Sequence, residues 1–90
     1  MAKFILGRIV ATPGALAEFE RACMVPADLL ARHQRGDWGE VCEEDRLANE
    51  SALREGERLF SVYRLSSGTK IWIITERDRS STTLLLPSEY

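Results

Sequence analysis

The sequence predicts an α+β domain of order β-α-α-α-β-β-β, an antiparallel sheet of about four strands with helices packed on one face. Three observations lead there. Residues 3–11, KFILGRIVA, are dense in β-branched and aromatic side chains. Residues 12–56 carry repeated helix-start and helix-stop signals. Residues 58–86 are three short apolar runs joined by tight polar turns, and helices grouped ahead of short-linked strands favour a sheet covered on one side.

Each element has its own warrant. Both alternating faces of residues 3–11 are largely apolar, which suits an inner strand. Thr12 then stands as an N-cap with Pro13 at the first helical position, where its missing N–H costs nothing. Leu16, Phe19 and Cys23 share a face of this first helix. Pro26 opens a second helix with Asp28 at its positive dipole end, and Leu29, Leu30 and His33 form its apolar side. Gly36 ends it as a left-handed C-cap. Asp37 as N-cap and Glu40 three residues on read as a capping box for a third helix, Trp38 to Glu55, which Gly56 stops. One face of that helix collects Trp38, Val41, Cys42, Asp45, Ala48, Asn49, Ala52 and Leu53, leaving Leu47 outside.

RLFSVYRL (58–65) and TKIWIITE (69–76) flank SSG as a hairpin, with Ile71, Ile73 and Thr75 on one face and Trp72, Ile74 and Glu76 on the other. RDRSS (77–81) is a polar turn, and TTLLL (82–86) returns as a last strand until Pro87. Residues 1–90 form one domain without repeat or linker.

Composition narrows the function classes. Hydrophobic residues at 44% and charged residues at 29% are ordinary for a globular chain, and a net charge of −2 gives no general attraction to nucleic acid or anionic membrane. The charge is uneven. Of 14 acidic residues, eight fall within 37–57 against only Arg46 and Arg54 among 12 basic ones, so the remainder is net positive. Cys23 and Cys42 have neither CxxC nor zinc spacing and read as small core groups in a reducing compartment. The N-terminal apolar run is too short to span a bilayer and lacks a secretory layout, so a cytoplasmic protein is expected. No Walker loop, GxGxxG, HExxH, nucleophile elbow or EF-hand is present, and neither cofactor nor metal is expected.

The polar residues offer few candidates. His33, whose ordinary pKa lies near neutrality, is the natural acid–base group, with Asp37, Asp45 or Asp78 as partner; the structural alternative is a helix-end histidine bonded to Asp37 or Asp45. Trp38 reads as a core anchor, or else as a stacking platform. Asp45 and Asn49 are wrong for a core face, and a buried carboxylate needs a partner. Arg79, Arg64, His33 or the backbone N–H groups of the RDRSS turn could satisfy Asp45 unless it lies exposed at the face's edge, and it is expected to tie the third helix to the sheet through an arginine. TERDRSSTT (75–83) gathers Glu76, Asp78, Arg77, Arg79 and hydroxyls around one turn, a phosphate-binding composition that also makes an ordinary Asx turn.

ATPGAL (11–16), RHQRGDWGEVCEED (32–45) and GTKIWIITERDRSSTTLLLPSEY (68–90) resemble a family of small bacterial proteins found near plasmid, phage and other mobile-element genes. Its members carry labels such as plasmid-related protein or type I restriction–modification methylation subunit. Ninety residues hold neither the cofactor-binding α/β domain nor the motif a methyltransferase needs. The resemblance implies a shared set of positions, matched here by His33, Gly36, Asp37, Trp38, Gly39, Asp45, Asn49, Trp72, Thr75, Glu76, Asp78, Arg79, Ser80, Thr83, Pro87 and Tyr90. The usual TEADRS appears as TERDRS, which removes position 77 from that set.

Three readings follow. The first is a protein-interaction or accessory module of a mobile element, bound to a host or element-encoded protein through the acidic third helix or the turn, with Trp38, Asn49, Glu76, Asp78 and Arg79 as binding residues. The second is a small hydrolase-like enzyme using His33 with Asp37, Asp45 or Asp78, which requires these groups to converge. The third is a weak nucleotide or nucleic-acid binder through residues 77–83.

Overall fold

The computed structural model describes residues 2–90. The alternating segments build its centre: β2 (Leu59–Arg64) and β3 (Lys70–Thr75) form an antiparallel hairpin with Tyr63 opposite Ile71. β4 (Ser81–Leu85) continues antiparallel beyond β3, pairing Leu84 with Ile73. β1 (Arg8–Ala11) completes the order β1-β4-β3-β2. The α+β class and element order follow the expectation, but β1 runs parallel to β4, so the sheet is mixed. Parallel neighbours need a long connection, and all the helices and the hairpin lie between these two strands.

β1 is also shorter than its apolar run, and it is an edge strand, not an inner one. Ile9 and Val10 stay 45% and 41% exposed because nothing pairs with the strand's outer side among the described residues. Phe4 leaves the strand path to pack with Trp38, Ala52 and Leu59.

α1 (Pro13–Arg21) starts as expected, the Thr12 hydroxyl accepting from the Ala15 N–H at 3.1 Å. Its buried stripe is Ala15 and Phe19, one position round from the expected face: Leu16 is half exposed, and Cys23 sits exposed in the following turn at φ 56°. α2 (Pro26–Gln34) buries Leu29 and His33. Phe19, Leu29, Tyr63, Ile71, Ile73 and Leu84 form the main core, each contributing roughly 2 kcal/mol of burial.

α3 (Glu43–Glu55) begins five residues later than the capping-box pattern predicts. Trp38 and Glu40 spend their backbone groups on Val62: the Val62 N–H donates to the Trp38 carbonyl at 3.1 Å and the Glu40 N–H to the Val62 carbonyl at 2.6 Å. That bridge at Gly39 is parallel to β2 and holds the segment extended. Cys42 becomes the N-cap and is exposed, so neither cysteine is a core group.

Candidate functional site

The segment HQRGDWGE is chiefly a joint. Gly36 ends α2 with its N–H on the His33 carbonyl, and the Asp37 N–H reaches back to the Arg32 carbonyl at 2.9 Å. The Asp37 carboxylate binds the Arg32 guanidinium at 2.7 Å, and this hydrogen bond holds its pKa below the usual range. Across a shallow polar groove of about 230 Å³, Arg64 pairs with Glu40. The Tyr63 hydroxyl donates to the Asp37 carbonyl, and burial pushes its pKa up to about 12. Trp38 is buried, its indole N–H donating to Glu50 at 3.0 Å, so it offers no stacking face.

His33 is fully buried, and its partners are hydroxyls, not carboxylates. Nδ1 lies 2.5 Å from the Ser61 hydroxyl and Nε2 2.9 Å from the Thr75 hydroxyl; Thr75 meets Thr82 at 2.7 Å, and Thr82 donates to the Leu6 carbonyl at 2.7 Å. A carbonyl only accepts, so the network is directed throughout: Thr75 donates to Thr82, His33 Nε2–H donates to Thr75, and Ser61 donates to bare Nδ1. Burial first, and the Arg79 charge second, lower the imidazole pKa to about 4. A neutral ring sealed from solvent is no general base for a bound substrate.

The remaining candidates are held apart from it. Asp45 makes no hydrogen bond or ion pair among the described residues, so it does not tie α3 to the sheet. That role falls to Arg79, whose guanidinium donates to the carbonyls of Ala52, Glu57, Glu76 and Arg77, capping the C-terminal end of α3 onto the β3–β4 turn. Carbonyls, not a carboxylate, satisfy it. Asn49 is buried with its amide clamped on the Phe60 backbone, donating to the carbonyl at 2.7 Å and accepting from the N–H at 3.0 Å, as a neighbouring strand would. Asp78 accepts from the Ser80 N–H at 3.0 Å, the Asx turn, and Glu76 pairs with Arg58 at 3.6 Å. His33, Asp37, Asp45 and Asp78 therefore do not bond to one another. Arg79→Ala is expected to lose about 3 kcal/mol in urea unfolding, since hydrogen bonds from a charged group are the strong ones.

A different surface stands out. Ser61, Tyr63, Ile71, Ile73, Thr75, Thr82 and Leu84 face the helices, while Phe60, Val62, Trp72, Ile74, Thr83 and Leu85 face away, and none of the latter enters a core cluster. The 3-10 turn Pro87–Glu89 and Tyr90 pack against this second face, where Val62, Ile74 and Leu85 are buried and Phe60 and Trp72 half-buried. There Arg58, Phe60, Trp72, Ile74 and Tyr90 line an apolar groove of about 220 Å³. Trp72 was visible in the strand alternation, but that no α-helix packs on its face depends on where the helices settle. No protein-family model, curated protein or solved structure matches the chain. Among the described residues no helix is long and apolar enough to cross a membrane, and no cluster of His, Cys, Asp or Glu is arranged to hold a metal.

Proposed function

We propose that this chain is a small non-catalytic binding module, a cytoplasmic accessory protein of bacterial mobile elements, and that it docks its partner on the sheet face turned away from the α-helices. One observation carries the reading: Phe60, Trp72 and Tyr90 form an aromatic groove on the sheet face turned away from the three α-helices. The polar candidates meanwhile are engaged in the fold, His33 in the core, Asn49 on an edge, Arg79 on a helix end. The mobile-element context rests on the resemblance of the RHQRGDWGE and KIWIITERDRS segments.

Affinity capture of the tagged chain from a host lysate tests this, comparing wild type with Trp72→Ala and Asp78→Ala. A macromolecule retained by wild type and by Asp78→Ala but lost by folded Trp72→Ala is the expected result. Retention by Trp72→Ala with loss in Asp78→Ala returns the site to the turn and sinks the sheet-face reading.

A further inference from the structure

We infer that the groove on the sheet face turned away from the α-helices binds single-stranded nucleic acid, with bases on its aromatic rings and phosphates on the cations around it; this rests on the docking reading above. The aromatic part lies on adjacent strands, Phe60 of β2 and Trp72 of β3, ring centroids 5.1 Å apart and perpendicular. Tyr90, 70% exposed, stands 5.5 Å from Trp72 and completes a groove of about 220 Å³. Tyr90 is the exposed ring, Phe60 and Trp72 are half-buried beside it, and base–aromatic stacking tolerates any base.

The cations follow from the same pleat. Arg64 is the register partner of Lys70, and Arg8 shares the face through its alignment with Ser81 and its alternation with Val10. Arg64 is already paired with Glu40 at 3.3 Å, so Lys70 opposite it is the cation of the two left without a carboxylate. Arg8 and Lys70 make no side-chain hydrogen bond or ion pair among the described residues. With Arg58 the face carries four cations; Arg58 and Arg64 are paired with Glu76 and Glu40, and Arg8 and Lys70 are the two that would meet phosphate as uncompensated charge. Eight of the 14 acidic residues lie within 37–57, most of them on α3, so the net charge of −2 is not evenly spread over the surface. Sequence-tolerant stacking plus a phosphate-neutralising rim is how proteins hold single strands. A duplex hides its bases from stacking, and the face presents neither a helix nor a ribbon to enter a groove.

The test is fluorescence anisotropy with labelled oligothymidylate and oligouridylate of about 12 nucleotides, titrated over a range of salt. Binding of either strand that weakens linearly in log salt is expected. Trp72→Leu should weaken it by about tenfold or more, and Arg8→Glu with Lys70→Glu should both weaken it and flatten the salt slope by about two. Arg77→Glu, in the turn, should leave the affinity within about twofold. The two surface charge reversals keep the test decisive if Trp72→Leu fails to fold. No binding at low salt, equal binding by the charge-reversed variant, or preference for a duplex of the same sequence overturns the inference. If a nuclease-resistant protein is captured through Trp72 instead, the docking reading stands and this inference falls; if nothing is captured, both fall.

Discussion

Gly39→Ala is expected to lower stability by about 4 kcal/mol or more, among the largest losses a single small substitution can cause. Gly39 holds φ 74°, where an L-residue costs about 1–2 kcal/mol on its own. The rest comes from proximity. A Cβ at this position would run into the Val62 carbonyl oxygen and lie 2.7 Å from a Tyr63 ring carbon, and the obstacle is partly backbone that cannot rotate away. Relief requires the segment to lift from β2, which breaks the hydrogen bonds of Trp38 and Glu40 with Val62, each worth about 1 kcal/mol. Gly56 is the control: it also has positive φ, 71°, but a Cβ there meets nothing within 4 Å. Gly56→Ala should therefore cost only about 1–2 kcal/mol. Urea unfolding of both variants, with hydrogen exchange at the Val62 amide, separates strain from collision. Equal losses at the two glycines would mean that the close approach at Gly39 contributes nothing.

The same glycine explains what the sequence could and could not convey. Signals read within a few residues were legible: Thr12 and Pro13 at a helix start, Pro26 at the next, Gly68 in the hairpin, and the alternation that sorts Ile71 and Ile73 from Trp72 and Ile74. Asp37 and Glu40 match a capping box locally, yet the backbone between them pairs with Val62, a partner more than twenty residues away, and the helix waits until Glu43. Long-range pairing overrode the local pattern. The expected tie between α3 and the sheet by an arginine was right in kind and wrong in partner, because carbonyls at a helix C-terminus carry no sequence signature. The candidate site suffered most. His33 finds Ser61 and Thr75, 28 and 42 positions away, and no spacing rule points to a hydroxyl pair across two strands. That this sheet face lacks an α-helix follows only from where α1, α2 and α3 settle, which is why Phe60, Trp72 and Tyr90 gain their meaning from the fold.

His33 carries the second large effect, and it is tunable by pH. His33→Ala should cost about 4 kcal/mol, combining a cavity with two buried hydroxyls that lose a partner. In the wild type, the ring is neutral, with its proton on Nε2 and Ser61 donating to Nδ1. Protonation puts a second N–H on Nδ1, turns the Ser61 contact into donor against donor, and places a charge in the core between Phe4 and Trp38. The folded pKa is depressed from 6.5 to about 4, so between these values the unfolded chain binds a proton that the folded chain refuses. Stability is fully present above pH 6.5, declines as pH falls, and has lost about 3 kcal/mol below pH 4. Asp37 is also depressed, by its bond to Arg32, but its contribution is lost only as pH falls below the ordinary carboxylate range, which leaves the upper part of the window to His33. Urea midpoints between pH 7 and pH 5 should therefore slope downward in the wild type and stay flat in His33→Leu, which is less stable throughout. An imidazole nitrogen spectrum at pH 7 adds an independent check, with the Nε2–H tautomer expected. A charged ring, or the Nδ1–H tautomer, would contradict the hydrogen-bond direction that Leu6 imposes through Thr82 and Thr75.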